Sequence, residues 1–124
     1  MIDALFVMIG GGLGAVLRFF VSEFLNKKFN LKHWATFWVN FSGCFLLGFC
    51  FTFVSKFNLN VSPFLIIGLI GSYTTFSTFE YENIHLIAHE KYFEFLKYAF
   101  LSCFFCFISL TAGYAFAKMI INLI

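Results

Sequence analysis

The sequence predicts an all-α integral membrane protein of four transmembrane helices, with the third helix broken near its middle. Three observations carry this. First, 61% of the 124 residues are hydrophobic and 11% are charged. Second, the stretches 34–54, 64–79 and 98–117 contain no charged residue, and 2–25 holds only Asp3, Arg18 and Glu23. A helix needs about 20 mostly apolar residues to cross a bilayer. Spans are therefore expected at about 2–25, 33–55, 63–88 and 94–121, forming one domain over 1–124. Third, the run from Gly71 to Glu80 packs five Ser/Thr hydroxyls into seven residues, inside the apolar stretch that begins near Phe64. Polar, non-helical backbone at membrane depth is tolerated where it is buried in protein or lines a wet cavity. Four spans fill the chain, so no soluble domain, signal peptide or linker is expected. A water-soluble bundle would show polar faces recurring along each helix, and the second and fourth spans show none.

The first span carries Gly10-Gly11-Gly12-Leu13-Gly14-Ala15 and then Arg18. Gly10 and Gly14 form a G-x-x-x-G, which lets another helix approach closely. An arginine inside a span is costly. Arg18 either snorkels to the interface or faces a water-filled vestibule that attracts anions.

The second span carries Thr36, Asn40, Ser42, Gly43 and Gly48. The Asn40 amide offers two N–H donors. They serve either an interhelical hydrogen bond or an anion passing along the helix. The third span opens at Pro63, a residue suited to a first helical turn, and reaches Gly68, Gly71 and the hydroxyl run. A broken helix frees carbonyl oxygens that can bind a cation. Phe76 and Phe79 are three apart and share a face. Their ring edges are electropositive and can favour an anion without a full charge.

Glu80, Glu82, Asn83, His85 and His89 close the third span. They read as interface polar residues in preference to a metal site built on the i,i+4 histidines. The fourth span has Ser102, Ser109, Thr111 and Gly113, and isolated hydroxyls there bond readily to their own backbone. Cys44, Cys50, Cys103 and Cys106 all fall inside spans and read as small apolar fillers. The 22 phenylalanines are mostly lipid-facing filler.

Lys27, Lys28, Lys32, Lys91 and Lys97 fall on one side of the predicted membrane, and Lys56 and Lys118 on the other. The positive-inside rule places the first group in the cytoplasm, but so small a bias also permits insertion both ways.

Taken together, Gly10-Gly11-x-x-Gly14-Ala15-x-x-Arg18, Val39-Asn40-x-x-Gly43 with Gly48, and Gly71-x-x-Thr74-Thr75-Phe76-Ser77-Thr78-Phe79 resemble the Fluc (CrcB-type) fluoride ion channel family over the full length. The resemblance implies an antiparallel, dual-topology homodimer in the cell (inner) membrane. Two pores would mediate passive fluoride efflux and lower cytoplasmic fluoride. It implies that Asn40, Phe76, Phe79, Ser77, Thr78 and Ser102 line the fluoride pore and that Arg18 lies towards the vestibule. It also implies a central structural Na+ held by the backbone carbonyls of Gly71 and Thr74 from both subunits. The partners are fluoride, a second copy of the chain and membrane lipid, with no nucleic acid. In the family's fourth helix, hydroxyls recur one turn apart. Here Ser102 matches, while Cys106 and Leu110 occupy the next positions.

Two other functional classes stand beside the channel. A small multidrug-type proton-coupled cation transporter works through a carboxylate central in its first helix, where this chain has none. A non-transporting membrane helper subunit is the structural alternative. No Ser/His/Asp or Cys/His arrangement points to an enzyme.

Overall fold

The computed structural model describes residues 2–31, 33–59 and 63–123. Lys32, one of the residues in the lysine comparison, lies outside them. The described residues are helical throughout, with no strand among them. Helix α1 is Ile2–Phe29 and α2 is Trp34–Phe57. Pro63–Ile70 is wound as a π-helix and runs directly into the α-helical turn Gly71–Tyr73. We call this continuous piece, 63–73, α3. Helix α4 is Ser77–Ala88 and α5 is Tyr92–Ile121. Asn30, Asn58 and Glu90 take positive φ at the three inter-helix turns. Asparagine is among the few non-glycine residues that enter this region at low cost.

Three helices are long and apolar enough to cross a membrane, over Asp3–Phe29, Trp34–Phe57 and Tyr92–Ile121. At about 1.5 Å per residue each exceeds the roughly 30 Å hydrocarbon core. The chain is a multi-pass membrane protein.

Two helix pairs make the body of the fold: α1 against α3, and α2 against α5. Both seams are built on glycine. A Cβ at Gly10 would strike the Phe64 carbonyl, and one at Gly14 the Leu69 carbonyl. Across the second seam Gly48 faces the Leu110 carbonyl and Gly113 the Phe45 carbonyl. In lipid there is little hydrophobic gain from joining two apolar helices, so close backbone approach supplies much of the attraction. Ser109 adds a polar tie, its hydroxyl donating to the Phe41 carbonyl at 2.7 Å. A Cβ at Gly11 or Gly12 would meet nothing within contact range, and Gly12 is exposed.

The interior is small. Tyr98, Ile70, Val39 and Ser109 are the largest fully buried side chains. Phe37, Phe79, Leu86 and Tyr98 form a compact cluster where α2, α4 and α5 meet. Many large apolar residues, Phe19, Phe20, Phe93, Phe100 and Phe107 among them, face outward. That surface suits lipid or a partner helix and would be a liability in water.

Candidate functional site

The site begins where helical geometry stops, at residues 74–76 between α3 and α4. The cause lies in another helix. In a continuous α-helix the Thr75 N–H would donate to the Gly71 carbonyl. Instead it donates to Asn40 Oδ1 at 2.8 Å, while Asn40 Nδ2 donates to the Thr75 carbonyl at 2.9 Å. One side-chain amide of α2 thus satisfies both backbone groups of a residue that has left the helix. Thr74 is extended, with φ −72° and ψ 156°. Thr75 Oγ1 then accepts from the Thr78 N–H at 3.3 Å and lies 3.1 Å from Thr78 Oγ1 and 3.3 Å from Ser77 Oγ. The Thr75 hydroxyl therefore takes up a free donor at the start of α4, the service an N-cap side chain performs.

The α3 side of the break is tied to both α1 and α2. Ser72 Oγ donates to the Gly11 carbonyl, and Tyr73 OH lies 2.9 Å from Ser42 Oγ. Arg18 Nη1 reaches the Thr74 carbonyl at a long 3.4 Å. The guanidinium is half-buried and directed at the break, not at the end of α1.

An open groove of about 280 Å³ runs beside the break, lined by Asn40, Thr74, Thr75, Phe76, Phe79 and Ser102, with Cys44, Leu47, Cys103 and Cys106 completing it. Four of the six expected pore residues, Asn40, Phe76, Phe79 and Ser102, therefore meet on one surface. Ser77 and Thr78 are outside this lining on the single chain and are engaged with Thr75. Phe76 is 73% exposed and Phe79 is 8% exposed. Their centroids are 6.0 Å apart, with the planes tilted by 41°. Asn40 spends one N–H on Thr75, and an amide carries a second. The interhelical bond and a donor facing the groove are therefore compatible. Ser102 Oγ is buried and approaches the Tyr98 hydroxyl without reaching full hydrogen-bond geometry.

Beyond Phe79 lies a polar cluster that sequence reading did not assemble. Glu82 Oε1 accepts from Thr36 Oγ1 at 2.8 Å, and Glu82 Oε2 accepts from Tyr98 OH at 2.7 Å. Tyr98 packs on Phe79 with centroids 5.3 Å apart. The signal was present in spacing: Thr36 and Asn40 are i,i+4 on α2, and Tyr98, Ser102 and Cys106 are i,i+4,i+8 on α5. Glu82→Ala is expected to destabilise the protein by about 2–4 kcal/mol, because two hydroxyls lose their acceptor at once. Denaturant titration in micelles measures this, with Glu82→Gln expected to lose about half as much.

His85 and His89 stack with centroids 4.1 Å apart. Among the described residues no group of three His, Cys, Asp or Glu side chains is placed to hold a metal ion. All four cysteines are free thiols.

The family model described as "CrcB-like protein, Camphor Resistance (CrcB)" matches residues 5–114. The chain belongs to the CrcB-like family. The CrcB-like match covers α2, α3 and α4 whole and most of α1 and α5. A fluoride-specific ion channel FluC of Flavobacterium psychrophilum is 40% identical over 118 residues, covering 91% of this chain and 94% of the relative. A fluoride-specific ion channel FluC 1 of Staphylococcus saprophyticus is 36% identical, covering 92% and 98%. A third relative, the fluoride-specific ion channel FluC of Methanococcus aeolicus, is 36% identical, covering 90% and 91%.

Proposed function

We propose that this chain is a fluoride-selective ion channel that mediates passive fluoride efflux and acts as an antiparallel, dual-topology homodimer. The observation that carries the reading is the groove beside the break. There an amide N–H of Asn40, the rings of Phe76 and Phe79 and the Ser102 hydroxyl converge. Fluoride is small and strongly hydrated, so a path must replace the donors of water. Neutral donors and ring edges do this without a fixed cation that would trap the ion. Conduction needs binding strong enough to admit and weak enough to release. The curated relatives bearing the fluoride-channel name support the choice of ion.

In this reading α3 and α4 together form a fourth crossing, interrupted at 74–76. Each protomer of the antiparallel pair contributes one groove, giving two pores, with Arg18 near the vestibule and Ser77 and Thr78 along the path. The outward apolar surface of the single chain supports pairing, and the small lysine asymmetry permits insertion in both orientations.

The break also fits a structural Na+. Diversion of the Thr75 N–H to Asn40 leaves the Gly71 carbonyl without its helical donor. It keeps only a 3.4 Å approach from Thr74 Oγ1. The Thr74 carbonyl has only the long Arg18 contact. Carbonyl oxygens suit a hard cation. Gly71 and Thr74 from both protomers would hold Na+ and so pin the two breaks to each other.

The test is fluoride efflux from liposomes containing the purified protein, read with a fluoride electrode beside a chloride control. Fast fluoride release with little chloride release is expected. Phe76→Ile, which replaces a polarised ring edge by an aliphatic surface, is expected to slow it by at least about tenfold, the equivalent of roughly 1.4 kcal/mol. No fluoride release from folded wild-type protein would overturn the channel.

A further inference from the structure

Helices α2 and α5 lie side by side and run in the same direction. Trp34 meets Tyr98, Phe37 meets Phe105, Phe41 meets Ser109 and Phe45 meets Gly113. Along the edge of this seam that faces the groove, the residues pair in rungs one helical turn apart. Thr36 and Tyr98 share Glu82. Asn40 and Ser102 follow, both lining the groove. Cys44 and Cys106 come next and line it too, with their thiols within hydrogen-bonding reach of each other. One turn further on, Gly48 lies against the Leu110 carbonyl and the two walls meet.

We infer that Cys44 and Cys106 form a binding site for a soft, two-coordinate monovalent metal cation, Cu+ or Ag+, and that the bound cation obstructs the groove. The obstruction rests on the channel reading. The binding site stands on the pairing of the thiols alone.

The donor set decides the class of ion. Soft sulfur ligands select Cu(I) over hard cations, and a monovalent ion with a filled d shell accepts two ligands in line. Among the described residues no group of three His, Cys, Asp or Glu side chains is placed around a common point. That disfavours Zn2+, which takes four ligands in tetrahedral sites. A metal–sulfur bond of about 2.3 Å holds two sulfurs roughly 4.6 Å apart or closer. Two thiols already in contact reach that separation with little movement of the backbone. Both are free and half-buried. Loss of one thiol proton on binding leaves a thiolate, a thiol and a monovalent cation, uncharged overall. Such a unit suits a membrane-embedded groove, where an isolated charge is expensive.

Place in the fold gives the consequence. Four residues of helix rise about 6 Å, so the cation would sit about that far along the helices from the Asn40 and Ser102 rung. A sulfur–metal–sulfur bridge there ties the α2 wall to the α5 wall and fills the end of the groove next to the Gly48 contact. Cys103 also lines the groove, three residues before Cys106 on α5, but it is exposed. It is the competing partner for Cys106. Cys50, six residues beyond Cys44 on α2, is outside the described lining.

The test uses the reduced, full-length protein in liposomes in chloride-free buffer, with Ag+ as the probe because it needs no reductant. Silver retained per chain is measured against rising glutathione, which strips cations held by single thiols before those held by a pair. Wild type and Cys50→Ser are expected to keep one Ag+ per chain. Cys44→Ser and Cys106→Ser are each expected to lose it at glutathione concentrations lower by at least about 100-fold, more than the loss of an outer-shell partner costs. Retention by both variants equal to wild type would overturn the site. Loss in Cys103→Ser as large as in Cys44→Ser would also overturn it, by moving the ion onto α5 alone. In the same liposomes, filling the site is expected to slow wild-type fluoride efflux about tenfold, with recovery when excess dithiol removes the silver. Full efflux with silver retained would overturn the obstruction. Absence of efflux before silver is added, with retention intact, would remove the channel and leave the metal site standing.

Discussion

Asn40→Ala is expected to abolish fluoride efflux, by about 100-fold or more, while also lowering stability. Both effects have one origin. The substitution strips the Thr75 N–H and the Thr75 carbonyl of their partners in a setting where water is scarce. Each orphaned group costs about 1–3 kcal/mol. The chain recovers this most easily by letting Thr75 rejoin the helix and donate to the Gly71 carbonyl. The break would then close, Phe76 would turn away from the groove, and the carbonyls assigned to Na+ would be consumed by helical bonds. The second Asn40 N–H, the donor for the ion, would be lost as well. A barrier raised by about 2.7 kcal/mol slows passage 100-fold, so loss of the donor with part of the geometry is enough. Liposome flux and denaturation in micelles, run on the same preparation, check the expectation. Full fluoride flux from Asn40→Ala would remove the groove from the permeation path.

The second large effect is expected at the helix seams. Gly14→Val and Gly113→Val each place side-chain atoms where a carbonyl of the facing helix already sits, Leu69 for the first and Phe45 for the second. Backbone cannot swing aside as a side chain can, so the helices must separate along the whole seam. Overpacking in a well-packed interior costs about 1–3 kcal/mol, occasionally more, and a seam that lacks a strong hydrophobic drive has little to offset it. We expect a loss of about 3 kcal/mol or more for either variant, measured by unfolding in detergent. Gly12→Ala is the matched control. Its Cβ meets nothing on the single chain, and alanine is favoured over glycine in helices by up to about 1 kcal/mol, so chain stability should hold or rise. Equal destabilisation by Gly12→Ala and Gly14→Val would show that glycine flexibility, not backbone approach, is what the seam uses.

The helical, membrane-spanning character was legible because charge is absent over lengths that match a bilayer, a signal needing no tertiary knowledge. Family membership was legible because the Gly10–Arg18 run and the Thr74–Phe79 run occur together. The division of labour among the hydroxyls was not. Thr75, Ser77 and Thr78 are chemically alike and adjacent, and which of them caps, bridges or faces the groove depends on Asn40, 35 residues away along the chain. The same is true of Glu82. As a letter near the end of an apolar run it reads as an interface carboxylate. Only α2 and α5, arriving with Thr36 and Tyr98, make it a junction of three helices. Ser102 could be picked out by its resemblance, but its burial beside the Tyr98 hydroxyl is a property of packing.

The outward display of phenylalanine has a consequence for how this sequence can change over time. A bilayer scarcely distinguishes one large apolar side chain from another, so outward-facing phenylalanines such as Phe19, Phe93, Phe100 and Phe107 can give way to leucine or isoleucine with little penalty wherever they meet lipid. Most of the chain's bulk is therefore free to drift, which accommodates relatives at 31–40% identity over most of its length. The positions expected to be held fast are inconspicuous: a few hydrogens in place of side chains at the seams, and one amide that bends a neighbouring helix. Mutational tolerance in this protein should accordingly run opposite to side-chain size, with the smallest residues the hardest to replace.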